Sequence, residues 1–444
     1  MADMMLQLSI AMPSGRSEAL TVLQSSTVGD LKILAQKSFG EGFLRLVTGE
    51  GHVLTDPTAC LQSVGLEDGD TLTALALQGK LAATSKAFAL WYSGCDRVVT
   101  WGDLDAGGNS SQVSLKSVQQ LQSTDYAFAA ILADGSVVTW GDPLAGGDAS
   151  EVQDQLRNVQ QLQPAGAAFA ALLEDRSVVT WGDSLCGGDC SEVQRQLQNV
   201  RQLYATKFAF AALLADGSVV TWGHPDWGAD MSEVHFQRNV QRILSHDFAF
   251  LAILEDGSVV HWGDPIKQSD IPLEHQLGHV KEVGATSEAF AAILADGSVV
   301  TWGSLHHGGD SSAVRDHLRS VRHVHGTQLA FAAVLEDGSV VTWGHPDFGG
   351  DSSEVQDQLR NVQQLQATEK AFAAILTNGS VVTWGNSDSG GDSSEVQHQL
   401  VKVREIHATE RAFAAILADG SVIAWGDPGY GGDNSAVKDQ LAML

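Results

Sequence analysis

Cysteine, histidine and carboxylate side chains set the chemistry open to this chain, and their spacing closes most of it. Cys186 and Cys190 flank a Gly-Gly-Asp turn. A zinc site there needs two more close ligands, and no second cysteine pair supplies them. His323 and His325 stand two apart on a predicted strand and share a face, while His306 and His307 fall in another loop. Structural or surface roles are expected for these histidines. The Gly-Gly-Asp turns recur far too widely for calcium sites of the nonapeptide kind, so they are read as turns and caps. No phosphate-binding Gly-x-x-x-x-Gly-Lys-Ser/Thr loop, no Gly-x-Ser-x-Gly elbow and no His-Glu-x-x-His pair is present. No catalytic residue, metal ligand or cofactor is therefore expected, and the chain is read as non-enzymatic.

Recognition is the chemistry that remains. Between a recurring Trp-Gly and the Gly-Gly-Asp turn, the copies differ sharply: His224-Pro-Asp-Trp227, Ser304-Leu-His-His307, His345-Pro-Asp-Phe348 and Asp427-Pro-Gly-Tyr430. Variable loops on a fixed frame are where binding is usually placed. Trp227, His307, Phe348 and Tyr430 are thus candidate binding residues within an acidic rim. Repeat five departs most, at residues 266–272, and repeat one is irregular at residues 94–97.

The frame is periodic. Trp101, Trp140, Trp181, Trp222, Trp262, Trp302, Trp343, Trp384 and Trp425 each precede a glycine, at intervals of 39, 41, 41, 40, 40, 41, 41 and 41 residues. So strict a period means one supersecondary unit copied in series. In the copy at residues 362–401, strands are expected at 362–367, 371–376 and 380–384, with Asn378-Gly379 as the tight turn between the last two. Asp392, Ser393 and Glu395 read as a cap and capping box for a short amphipathic helix through Val396, Leu400 and Val403. The alanines of Ala-Phe-Ala-Ala-Ile-Leu leave room for close neighbouring strands. The invariant tryptophan is expected to be a packing residue between copies rather than a ligand platform.

Composition narrows the partners. The 444-residue chain is 43% hydrophobic with a formal net charge of -28. That charge disfavours nucleic acid and anionic lipid and favours a protein partner with a basic patch. Four cysteines in such a length do not make a disulfide scaffold. No run of 18 apolar residues spans a membrane, and the N-terminus lacks the features of a secretory signal. The acceptor-like Asn109 and Asn378 are then simply turn residues. A monomer in the cytoplasm or nucleus is expected.

The first domain, residues 1–79, reads strand, strand, helix, strand, strand: residues 5–12 and 19–23, a helix from Val28 to about Phe39 capped by Ser26 or Thr27, then 44–47 and 71–77. That order describes a β-grasp. It resembles ubiquitin in the opening hairpin, Thr27-Val28 leading to Leu31-Lys32, Arg45-Leu46-Val47 before Gly49, and Thr71-Leu72. The resemblance implies a recognition patch at Pro13, Val47 and Leu75, with proline replacing a leucine. The last strand runs through Gln78-Gly79-Lys80 into the repeats without a diglycine tail, so a fixed, non-conjugated domain is expected.

The second domain, residues 80–444, carries Val-x-x-Leu…Ala-Phe-Ala-Ala-Ile-Leu-x-Asp-Gly-Ser-Val-Val-Thr-Trp-Gly…Gly-Gly-Asp. These repeats resemble the regulator of chromosome condensation (RCC1) family of β-propellers. The short unit is also similar to the three-stranded blades of β-lactamase-inhibitor propellers. The expected fold is mainly β: a propeller-like array of about nine three-stranded repeats with short helices, preceded by the β-grasp. The functional expectation is a protein-interaction scaffold or adaptor, linked through its first domain to ubiquitin-pathway components. Two alternatives come from the resemblance: a component of an RCC1-repeat (HERC-like) ubiquitin ligase without its catalytic domain, and a guanine-nucleotide exchange factor for a small GTPase.

Overall fold

The computed structural model describes residues 4–40, 42–92, 97–232, 234, 236, 239–255, 259–263 and 280–442. Repeat five's divergent stretch at 266–272 and residues 94–96 of repeat one lie outside the described residues.

The N-terminal unit is a mixed sheet of order β2-β1-β4-β3, with β1 (Met5–Ala11), β2 (Ser17–Leu23), β3 (Leu44–Thr48) and β4 (Thr71–Ala76). β1 and β4 run parallel and the other pairs antiparallel. Alternation sends Leu6, Leu8, Ile10, Leu44, Leu46, Leu72 and Ala74 to one face, where Val28, Leu31, Ala35 and Phe39 of α1 (Val28–Phe39) cover them. Thr27 caps α1, and its side chain and that of Asp30 satisfy each other's backbone N–H groups.

Nine three-stranded antiparallel sheets follow, one per Trp-Gly copy: blades 1 to 9 at 79–102, 118–141, 159–182, 200–223, 240–263, 280–303, 321–344, 362–385 and 403–426. In each, the middle strand carries the alanines and one phenylalanine. Ala127, Phe128, Ala129 and Ala130 in blade 2 are completely buried, as are their counterparts in most blades. Phe128 lies directly opposite Trp140 across the strand pair, with the rings stacked 5.2 Å apart. The pattern repeats in all nine blades, up to Phe413 and Trp425 at 5.3 Å. The hydrophobic cores sit between blades: Phe169 and Trp181 of blade 3, for instance, pack on Ala127, Ala129 and Ile131 of blade 2. A three-stranded sheet is too small to bury its own faces, so each blade is stable only against its neighbours.

The glycines after the tryptophan are explained by the same junction. Gly146 of blade 2 sits at φ +93, and a Cβ there would lie 2.7 Å from the Phe169 ring of blade 3. Its carbonyl accepts the Trp181 Nε1–H at 3.0 Å. Equivalent bonds tie Trp140, Trp222, Trp262, Trp343, Trp384 and Trp425 to the preceding blade. The last such bond closes the ring. Trp101 of blade 1 donates to the Gly431 carbonyl of blade 9 at 3.0 Å, across 330 residues of sequence.

This seam differs from the other junctions. Elsewhere the glycine of the turn between middle and outer strands abuts a residue just before the next blade, as Gly379 does with Lys402. At the seam, Gly420 of blade 9 meets Gly42 and Phe43 of the N-terminal unit. Phe43 also lies 4.4 Å from Tyr92 of blade 1, and its carbonyl accepts the Leu77 N–H. Phe43, Leu77 and Leu81 therefore join blade 1, blade 9 and C-terminal Val437 and Leu441 in one core.

One expectation needs correction. Among the described residues, the segments bridging one blade to the next are not short α-helices; that at Ser312–His317 is a 3-10 helix, and an α-helix, Lys438–Ala442, follows only the last blade. Residues 393–400 form successive i to i+3 turns: Val396 N–H to Ser393, Gln399 to Val396 and Leu400 to Gln397. Asp392 accepts from the Ser394 N–H, but no capping box with Glu395 forms. So short a segment cannot repay helix nucleation, and Gln397 instead reaches the Val381 carbonyl of the outer strand. Val396 and Leu400 are still the residues that pack inward. Val403 begins the next strand. The expected Asp-Gly turns do join middle and outer strands: Gly135 takes φ +78 while Asp134 accepts from the Ser136 N–H and hydroxyl. No helix among the described residues is long and apolar enough to cross a membrane.

Candidate functional site

Among the described residues, the blades send two connections to the same end of the ring: the turn between inner and middle strands, and the loop after the outer strand. In seven blades a buried threonine joins them, while Ala165 and His246 stand at that position in blades 3 and 5. In blade 9, Thr409 Oγ1 accepts the Ala412 N–H at 3.0 Å and donates to the Tyr430 carbonyl at 2.9 Å. Thr206 holds the Trp227 carbonyl at 3.2 Å, Thr286 that of His307 at 2.9 Å, and Thr327 that of Phe348 at 2.9 Å. The four candidate tips are thus fixed on one face by the same device. The 3-10 turns that carry them end in left-handed glycines: Gly228, Gly308, Gly349 and Gly431.

The face has an inner circle that the sequence reading missed. The residue after each threonine position forms it: Ser85, Asp125, Gly166, Lys207, Asp247, Ser287, Gln328, Glu369 and Glu410. Backbone bonds run from blade to blade along this circle, Ser85 N–H to Asp125, Asp125 to Gly166, Gly166 to Lys207 and Lys207 to Asp247. They resume from Ser287 to Gln328, Glu369 and Glu410, and Glu410 N–H returns to the Ser85 carbonyl. Acids dominate the circle. Lys207 Nζ lies 3.3 Å from Asp247, and Gln328 donates to Glu369 at 2.6 Å. Burial pushes the Asp125 carboxyl up to about 6, against the pull of Lys207 and with help from Asp247 and Glu410. Burial also raises Glu369, reinforced by Glu410. Burial works against the Lys207 ammonium, yet Asp247, Asp125 and Glu410 hold its pKa above the ordinary lysine value.

The next residue outward differs again from blade to blade: Lys86, Tyr126, Ala167, Phe208, Phe248, Glu288, Leu329, Lys370 and Arg411. These side chains meet the tips. Arg411 lies 5.0 Å and Lys86 5.4 Å from the Tyr430 ring centre, and Lys370 lies 5.4 Å from that of Phe348. Trp227 instead packs between aromatic neighbours, 5.7 Å from Phe208 and 4.9 Å from Phe248. His307 Nδ1 bonds Ser304 Oγ at 2.6 Å and lies 3.4 Å from Glu288. The tips are therefore distributed around one face, in separate sectors, and do not converge on one point. The signal for the two circles was present in the sequence. These paired positions vary among copies between a nearly constant threonine and a constant alanine, as the loop tips do.

The other candidate patch lies on the N-terminal unit. Ala11 pairs with Thr73, and Thr73 with Val47. Leu75, two residues beyond Thr73, shares with Val47 the face away from α1, and Pro13 follows two residues after the end of β1. Pro13 and Leu75 are exposed and Val47 is half-buried.

The remaining candidates for chemistry are embedded in the scaffold. Cys186 and Cys190 are buried, and burial pushes the Cys186 thiol up to about 11 and raises Cys190 as well. His323 pairs with Glu282 at 3.0 Å, and burial lowers the pKa of His325. No group of three metal-binding side chains occurs among the described residues.

Comparison with protein-family models finds no match, and neither does comparison with curated proteins. Among solved structures, yeast RCC1 (Prp20), crystallised with Kap60, is 17% identical, covers 57% of this chain and 78% of its own, and has a TM-score of 0.37. The ectodomain of the Arabidopsis thaliana receptor kinase ACR4 is 16% identical over 60% of this chain and 96% of its own, with a TM-score of 0.36. A de novo designed protein based on ubiquitin is 24% identical over 16% of this chain and 88% of its own, with a TM-score of 0.15.

Proposed function

We propose that this chain is a non-enzymatic protein-interaction scaffold whose recognition surface is the ring face bearing Trp227, His307, Phe348 and Tyr430. The observation that carries the reading is the threonine pin. It holds a varied set of side chains at fixed positions on a frame that does not vary. Preorganised loops lose little entropy on binding, which favours a specific partner over loose association. A photo-crosslinking amino acid at position 227 or 430 of the full chain, expressed in cells, tests it. Discrete protein adducts are expected from these positions and not from position 337, in a turn on the opposite face. Adducts of equal yield from both faces, or none from either, would overturn the reading.

A link to ubiquitin-pathway components is a second reading, favoured by the placement of Val47 and Leu75 on the outer face of the sheet, with Pro13 in the turn after β1. A ubiquitin-receptor domain titrated against the full chain is expected to bind, and Leu75→Glu to remove that binding. Equal binding by the variant would refute it. The ligase-component and nucleotide-exchange alternatives rest on sequence resemblance alone.

A further inference from the structure

Around most of the ring face, the positions that follow the inner circle decide what sits on the aromatic tips. In blades 8, 9 and 1 these positions are Lys370, Arg411 and Lys86, and each places its cation over a ring: Phe348, Tyr430, and both Tyr430 and Tyr126 respectively. Blades 4 and 5 carry phenylalanine at the same positions. Phe208 and Phe248 lie 6.0 Å apart with near-parallel rings, and Trp227 leans on both. All three are partly solvent-exposed. Among the described residues, the cations seated over rings on this face are those of blades 8, 9 and 1 alone.

Charge follows the same division. Among the described residues at these outward positions, the basic ones are Lys370, Arg411 and Lys86 of blades 8, 9 and 1, whereas blade 6 carries Glu288 there, and Asp226 and Asp247 immediately precede Trp227 and Phe248 in the chain. Asp247 immediately precedes Phe248 and already binds one ammonium, that of Lys207. Two imidazole nitrogens beside the rings, Nδ1 of His224 and of His246, are buried and have no hydrogen-bond partner. His224 lies 6.4 Å from Trp227 and His246 6.0 Å from Phe248.

We infer that the Phe208–Trp227–Phe248 cluster is the docking point for a basic, apolar-flanked segment of the protein partner. An arginine or lysine of that segment takes the place over the tryptophan face that the chain's own cations take over Tyr430 and Phe348. The flanking aliphatic side chain covers Phe208 and Phe248, and the carboxylates of Asp226, Asp247 and Glu288 complement the charge. A cation over an indole gains most of the common cation–π pairs, and it gains more where water is partly excluded. The inference rests on the scaffold reading and specifies the partner's chemistry at one sector of the face.

The test uses the full chain and a short synthetic peptide alternating arginine with leucine, labelled for fluorescence anisotropy. Its glutamate–leucine counterpart is the control. The arginine peptide is expected to bind with an affinity that falls as salt rises. Trp227→Ala should weaken it about tenfold, the loss of roughly 1.4 kcal/mol. Trp227→Phe should retain most of the affinity and report that the loop still folds. Glu336→Ala, exposed in a turn on the opposite face, should change it less than about twofold. Equal binding of the two peptides, or an unchanged affinity in Trp227→Ala, would overturn the inference. Crosslinked partners at position 227 together with no preference for the arginine peptide would leave the scaffold reading standing and remove this one. Absence of adducts would remove the scaffold reading itself.

Discussion

Arg176 stands where neighbouring blades have a glycine, and it is held at φ +68 in the turn between the middle and outer strands of blade 3. A side chain in the left-handed region costs about 1–2 kcal/mol. Arg176→Gly is therefore expected to stabilise the protein by about 1 kcal/mol in chemical denaturation, and a loss of stability would show that the arginine makes compensating contacts. Asp125 gives the second residue-scale expectation. Its folded-state pKa, about 6, lies above the ordinary carboxylate value because of burial. The folded chain thus binds this proton more tightly than the unfolded chain, so this group's contribution to stability falls as pH rises towards and through 6. Asp125→Asn should raise the melting temperature near neutral pH, and the gain should vanish on acidification below the ordinary carboxylate range. A gain that persists there would refute the burial argument. The residue-level chemistry was legible where copies agree. The tryptophan, phenylalanine and alanines announced packing by their invariance. The variability of the inner-circle positions was visible in the sequence, but their grouping was not, because only closure of the ring brings Asp125, Lys207, Asp247 and Glu410 to one place.

At the scale of elements, the strands and the helix of the N-terminal unit were readable, and the segments that bridge the blades were not. Alternation and Asp-Gly turns locate three strands per copy. The spacing of Val396, Leu400 and Val403 suggested a helix, but tight turns place Val396 and Leu400 inward equally well, and Val403 belongs to the following strand. Periodicity over so few residues cannot distinguish the two. The N-terminal unit was legible as strand, strand, helix, strand, strand, yet its packing role was not. At the seam, Phe43 fills the place that a residue of the next repeat fills elsewhere. Phe43→Ala is expected to cost about 3 kcal/mol, as for a buried phenylalanine, and to lower the unfolding midpoint of the propeller itself. If instead only the N-terminal unit melts earlier while the propeller transition stays fixed, Phe43 is not part of the ring's seam.

The whole molecule follows from two facts about scale. A three-stranded sheet rich in alanine cannot stand alone, and an array of such sheets with two free ends leaves one blade face open at each end. Closure removes both ends. The repeat count was legible from the nine tryptophans, but neither the number of blades nor closure was, since the intervals alone do not say whether the first copy meets the last. The bond from Trp101 to Gly431 and the return of the backbone circle from Glu410 to Ser85 carry that conclusion. Among the described residues, the tip loops and inner turns lie at one end of the closed ring, which is why a surface of recognition can be assigned at all.

Hydrogen exchange of the Trp101 indole, resolved by comparing the wild type with Trp101→Phe, tests the closed ring most directly. The ring predicts that this N–H exchanges as slowly as the indoles of Trp140, Trp181 and Trp384, which face the equivalent glycine within the array. Exchange of Trp101 at the rate of a solvent-exposed indole, with those three still protected, would mean that the first and last blades do not meet.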